Sequence, residues 1–103
     1  MNTEEISFHI ILHGGNARSC AMEAIRFAKD ADFISASEKI KEARKELGKA
    51  HRFQTDLIQG EAKGEIQQVS VLLVHAQDHF MNAMTITDLA SEIIDVHRRL
   101  AEK

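Results

Sequence analysis

The chain has 103 residues, is 44% hydrophobic and 28% charged, and carries a net charge of −3. That length holds one domain, spanning 1–103, and the slight negative balance offers neither the basic footprint of a nucleic-acid binder nor a polybasic membrane anchor. No apolar run approaches the roughly 18–20 residues of a membrane span, and a lone cysteine without a visible signal peptide points to a reducing cytoplasm.

Proline, Trp and Tyr are absent, aromatics are 5%, and strand formers never alternate over a useful length. The composition is all-α. Two turn signals divide the chain. Asp30-Ala31-Asp32 is the first, with Asp32 a candidate N-cap for the second helix. The segment from Gly60 to Glu65, with two glycines in six residues, is the second. Helices are therefore expected near 3–29, 32–60 and 66–101, folded as an antiparallel three-helix bundle.

Helix 1 carries Gly14, Ala17, Ala21, Ala24 and Ala28 at alternating spacings of three and four. Such a small-residue seam admits a neighbouring helix at close range. Gly14-Gly15 weakens the helix by about 1 kcal/mol per glycine relative to alanine, which predicts a bend or a close contact there. Cys20 has no activating cluster around it in sequence and reads as a small apolar filler. Helix 2 repeats the spacing with Ala36, Ile40, Ala43, Leu47, Ala50, Gln54 and Leu57. Gln54 in that seam needs a hydrogen-bond partner, from His51 or from helix 3. Lys39, Lys41, Glu42, Arg44, Lys45 and Glu46 lie off the seam and read as a solvated face.

Helix 3 has more apolar surface than a three-helix monomer can cover. On a wheel of about 100° per residue, Val69, Leu72, Leu73, Ala76, Phe80 and Ala83 fall on one broad side, which faces helices 1 and 2. Val71, Val74, Met81 and Thr85 fall on the other, with Asp78 among them, and read as an oligomer interface. In a closed symmetric assembly the copies of Asp78 would meet near the axis and need a divalent cation or shared protons. His75, His79 and Asn82 occupy the strip between the two sides. His75, at the edge of the interface, is the strongest reactive candidate, and His79, one turn on, a supporting hydrogen-bonding group. Gln77 points away and reads as a solvated polar residue. His9, His13, His51 and His97 read as isolated structural histidines.

Three functional classes fit these residues alone. One uses a histidine as a nucleophile that takes up and hands on a group. The second is a metal-binding helical protein using His75, Asp78 and His79 as a two-histidine, one-carboxylate set, although one helix strains to aim all three at one ion. The third is a purely structural helical trimer whose polar residues fix register.

The motif Leu73-Val74-His75-Ala76-Gln77-Asp78-His79, followed by Met81, favours the first. With Gly15-Asn16-Ala17-Arg18-Ser19, Ala28-Lys29, Asp32-Phe33, Ala50-His51, Gln54-Thr55, Leu57-Ile58-Gln59 and Glu61-Ala62, the chain resembles the lactose/cellobiose-type enzyme IIA of the bacterial phosphoenolpyruvate-dependent sugar phosphotransferase system. The resemblance implies a homotrimer of three-helix subunits. It implies that His75 accepts a phosphoryl group from the histidine phosphocarrier protein and passes it to a cysteine of enzyme IIB, and through it serves the membrane enzyme IIC. It also implies that Asp78 lies at the trimer axis with a shared divalent metal, usually Mg2+. Phe80, Asn82 and Ala31 stand where leucine, threonine and glycine are more usual. Ala76, where lactose-type members carry glycine, points to the cellobiose and β-glucoside oligosaccharide branch.

Overall fold

The computed structural model describes residues 1–66 and 68–103. It has three helices: α1 (Thr3–Lys29), α2 (Phe33–Ala62) and α3 (Val71–Ala101). They form an elongated bundle of 56 × 19 × 16 Å, with α1 packed along both of the others and a smaller contact between α2 and α3.

Each helix begins on a side-chain cap. Asn2 accepts from the Glu5 amide at 2.8 Å, Asp32 from Ser35 at 3.1 Å and Ser70 from Leu73 at 3.1 Å. Each of these satisfies an amide that the first helical turn leaves without a partner. The α1–α2 turn closes with the Asp32 amide donating to the Phe27 carbonyl and the Ala31 amide to Ala28. That pairing needs a left-handed residue at position 31, and Ala31 supplies it at φ 59°. The usual glycine is absent, yet the turn keeps the glycine geometry at some steric cost.

The second turn corrects the expected boundaries. Gly60 is buried inside α2, and a Cβ there would lie 3.2 Å from Ile66 Cδ1. It makes room for the returning chain and does not end the helix. Termination falls to Gly64 at φ 76°, where Glu65 donates to the Gly60 carbonyl and Gly64 to Glu61. Helix α3 starts at Val71, five residues later than expected, because Ser70 caps it. Of the residues assigned to its first turn, Gln67 lies outside the described residues. Val69, placed on the core side by the wheel, precedes the helix and is 76% exposed.

The core follows a heptad-like alternation of four and three on all three helices. Ile10, Gly14, Ala17, Ala21, Ala24 and Ala28 of α1 meet Ala36, Ala43, Leu47, Ala50 and Leu57 of α2. Leu73, Ala76, Phe80, Ala83, Thr87, Ala90 and Ile94 complete it from α3. This spacing keeps one seam facing inward along a left-handed bundle. The two buried hydroxyls are satisfied locally: Ser7 donates to the Thr3 carbonyl and Thr87 to Ala83, both at 2.8 Å. Cys20 is buried in the same core, and burial, followed by the Glu42 charge, pushes its thiol pKa up. It is the apolar filler that its surroundings in sequence implied.

The α1–α2 face corrects two readings. His9 and His13 are not isolated: the His9 ring stacks on Phe53 at 4.6 Å and 8°, and His13 lies nearly parallel to the same ring at 6.0 Å. Nor is Glu46 part of a solvated face. It is half-buried and accepts a 2.7 Å hydrogen bond from His13 Nδ1. Lys39 likewise leaves that face to pair with Glu23 at 3.0 Å. Burial opposes the Glu46 charge, but the His13 bond and the Lys49 ammonium outweigh it, and the carboxyl pKa ends below its ordinary value. A carboxyl so depressed stabilises the fold above the unfolded-state pKa, and that contribution disappears as pH falls through the folded one. Glu46→Gln should therefore lower the melting midpoint at pH 7, a loss of about 1–2 kcal/mol for a hydrogen bond to a charged group. The gap to wild type should close on acidification below about 4.5, the ordinary glutamate value. Thermal melts of both proteins across pH 3–7, the range that brackets free carboxyl titration, check this; a gap constant down to the acid end would refute it.

Candidate functional site

His75 lies exposed in the second turn of α3, and His79 half-buried one turn later. Their rings stack with centroids 5.8 Å apart and planes inclined by 27°. The spacing of four places them on one line along the helix. Beneath them α1 presents Gly14 and Gly15: a Cβ at Gly14 would lie 3.3 Å from His79 Cδ2, and one at Gly15 3.4 Å from His79 Nε2. The glycine pair thus marks a close contact and not a bend, since α1 is continuous through it. His79 is lodged against α1, and His75 rides on its outer face.

The second side of α3 is uncovered, as its pattern implied. Val71 is 87%, Val74 56% and Met81 48% exposed. The stripe continues through Leu89, Val96 and Leu100 to the end of the helix. Asp78 and Thr85 are exposed along it. Among the described residues Asp78 has neither an ion-pair nor a hydrogen-bond partner. Also among these residues, no group of three or more His, Cys, Asp or Glu side chains is arranged to hold a metal ion. His75, Asp78 and His79 do not converge, so a metal site built from one chain finds no support. An open groove of about 650 Å3 at the end of the bundle, lined by Thr3, Glu4, Glu65, Ile66, Gln68, Ser70 and Leu72, includes neither histidine. The candidate site is a surface strip.

Gln77 departs from its expected role. It points away from His75, as the wheel requires, but it is not simply solvated: Gln54 Nε2 donates to Gln77 Oε1 at 2.8 Å. The seam position of Gln54 signalled the need for a partner, and helix 3 supplies it. His51 instead tilts against Phe80 at 6.3 Å, and its carbonyl accepts from the Thr55 hydroxyl. No helix among the described residues is long and apolar enough to cross a membrane.

Comparison with known proteins agrees with this architecture. The model of the lactose/cellobiose-specific IIA subunit of the PTS system matches residues 5–98. The lichenan-specific phosphotransferase enzyme IIA component of Bacillus subtilis (strain 168) is 55% identical over 100 residues, covering 97% of this chain and 91% of that one. The chain belongs to the lactose/cellobiose-specific IIA family. As such it is a phosphotransferase component, with the three-helix fold of its relatives. The crystal structure of the PTS cellobiose-specific enzyme IIA from Bacillus anthracis superimposes on this IIA chain with a TM-score of 0.96 at 50% identity, covering 100% of this chain and 94% of that one. The IIA(Chitobiose) chain of the Escherichia coli IIA(Chitobiose)–HPr complex does so with a TM-score of 0.85 at 39% identity, covering 98% of each.

The Gln54–Gln77 bond joins the two helices of this IIA subunit that share the least contact, so each partner should be costly to lose alone. Gln77→Leu leaves the half-buried Gln54 amide unpaired and should lower stability by about 1–3 kcal/mol. The double variant Gln54→Leu/Gln77→Leu should recover much of that. Denaturant unfolding of the four proteins in a double-mutant cycle measures the coupling, and additive losses would mean the bond contributes nothing.

Proposed function

We propose that this IIA chain carries a phosphoryl group on His75 between the histidine phosphocarrier protein and a cysteine of enzyme IIB, which in turn serves the membrane enzyme IIC. The observation that carries the reading is the placement of His75: an exposed imidazole on a rigid helix, backed by the half-buried ring of His79. A neutral imidazole is nucleophilic near neutral pH. In the first step a His75 ring nitrogen forms a P–N bond as the P–N bond of the phosphorylated carrier breaks. In the second, the enzyme IIB thiolate takes the phosphorus and His75 leaves as free imidazole. Both steps depend chiefly on in-line positioning and charge stabilisation. His79 is suited to hydrogen-bond the phosphoryl oxygens. The strip lies open beside an apolar stripe, which suits brief docking to two different proteins. The likeness to lichenan- and cellobiose-specific relatives, together with Ala76, favours a cellobiose or β-glucoside oligosaccharide as the transported sugar.

The working form in this proposal is a homotrimer joined along the exposed side of α3. Val71, Val74, Met81, Leu89, Val96 and Leu100 share one side of α3, interrupted by Asp78 and Thr85, and suit the seam of a helix-to-helix contact. Asp78 fits a shared hard cation by chemistry: an unpartnered carboxylate on that seam supplies an oxygen ligand, and three copies near an axis would supply three. Mg2+ bound there would neutralise carboxylates that otherwise repel one another.

Three experiments test these readings. Incubated with phosphoenolpyruvate and the general phosphotransferase proteins, the wild-type chain should gain one acid-labile phosphate by intact mass. His75→Ala should gain none, while His9, His13, His51 and His97 variants should keep it; an acid-stable adduct would exclude phosphohistidine. Light scattering at micromolar concentration should give about three times the 11.6 kDa chain mass. Val74→Lys should shift it toward monomer, because a buried unpaired charge costs several kcal/mol. Asp78→Leu should keep the trimer while abolishing any effect of chelator on its melting midpoint.

A further inference from the structure

We propose that Gly14 and Gly15 of α1 are positioning residues for the phosphoryl-accepting imidazole, acting through the His79 ring; this rests on the reading of His75 as acceptor. Backbone conformation does not require glycine at either position. Both lie within a continuous helix, and Gly64 is the one described glycine with a positive φ. In a helix interior glycine is unfavourable relative to alanine, so the pair weakens α1 where it faces α3. Room is what the glycines supply. The hypothetical Cβ of Gly14 meets His79 Cδ2 at 3.3 Å, with the Phe80 Cα at 3.7 Å and the His79 carbonyl oxygen at 3.8 Å behind it. That of Gly15 meets His79 Nε2 at 3.4 Å. The α3 backbone is already close, so an added methyl at 14 displaces the ring and not a flexible chain end. A methyl at 15 would sit in van der Waals contact with His79 Nε2 and shield it from hydrogen-bond partners. His75 stacks on the same ring with centroids 5.8 Å apart, so a displacement of His79 would reach it through that contact. Gly48, in the middle of α2, is the internal contrast: a Cβ there meets nothing within 4 Å.

The three alanine variants separate room for His79 from helix propensity. Gly48→Ala should raise the melting midpoint by several degrees with an unchanged rate of phosphate arrival. Gly15→Ala should keep or raise the midpoint, yet slow phosphate transfer from the phosphorylated carrier protein by about tenfold, the order expected when one hydrogen bond of a supporting group is blocked. The ring 1H–13C signals of His79 should move in Gly15→Ala and stay at their wild-type positions in Gly48→Ala. Gly14→Ala, with the tighter contact, should behave like Gly15→Ala or more severely. In a His79→Ala background, Gly15→Ala should add no further slowing, since the ring nitrogen it shields is gone. An unchanged rate with unchanged His79 ring signals in Gly15→Ala would overturn the proposal, as would equal slowing with and without the His79 ring. A His75→Ala chain that still takes up phosphate overturns both readings; an inert His75→Ala beside an unaffected Gly15→Ala overturns this one alone.

Discussion

The close approach of α1 to its neighbours is the constraint on which the rest of the molecule depends. A seam of Gly14, Ala17, Ala21, Ala24 and Ala28 presents almost no side-chain bulk. The larger groups come from the opposite walls, chiefly Phe80, Leu47, Leu57 and Leu73. Small against large is how a narrow bundle reaches interior packing density. Narrowness then has a consequence for α3. A thin α1 covers only one side of that helix, which leaves the Val71–Leu100 stripe outside the monomer core. The same thinness seats the His79 ring against the α1 backbone. One sequence feature, the small seam, thus sets both the uncovered side of α3 and the close contact under His79.

Polar groups in the interior are few; the Ser7 and Thr87 hydroxyls bond within their own helices, and two further pairs each tie one helix to another. His13 and Glu46 join α1 to α2, and Gln54 and Gln77 join α2 to α3. Both bonds sit beside apolar contacts and are directional where those are not. Sliding one helix by a turn would keep much of the apolar contact and lose both hydrogen bonds, which leaves half-buried polar groups unpaired. They therefore oppose a slip in register more than they add to total stability. Register matters to the proposed relay because it needs His75 at the edge of the strip, and a rotation of α3 would carry it either into the core or onto the apolar stripe.

What can be read from the sequence divides along physical lines. Helix identity, the seams of α1 and α2, the Asp32 cap and the uncovered side of α3 all arise from local spacing. The second turn does not, because two rules conflict there. Glycine at 60 reads as a helix breaker, yet a side chain folding back from Ile66 makes it a packing residue. Apolar Ile66 and Val69 imitate the helix period and mask Ser70, the cap at the true start. Contacts between residues far apart are also out of reach: His13 and Glu46 are 33 positions apart, and nothing local marks either as the other's partner. Gln54 shows the limit between the two. Its place in an apolar seam announces a need, while the identity of the partner depends on how α3 turns. In the strip itself, the His75–His79 line is legible from spacing, but the glycine contact beneath it requires three-dimensional neighbours.

The form of the strip is consistent with the demands of the proposed relay. An enzyme that completes its chemistry alone gains from a closed pocket that excludes water. A carrier must present one atom to two different proteins in turn, so walls around that atom would have to part twice in each cycle. An exposed imidazole on a stiff helix avoids that motion. The cost is that protection from water and the remaining charge stabilisation must come from the docked partner. Tight docking would then be a disadvantage, because release precedes the next transfer and often limits such cycles. A small rim of apolar side chains, with few fixed charges beside the histidine, gives contact area without strong mutual attraction. Rigidity must then do what affinity does not. This is why a packed helix backbone, that of α1 at its two glycines, is the natural support for the ring that backs His75.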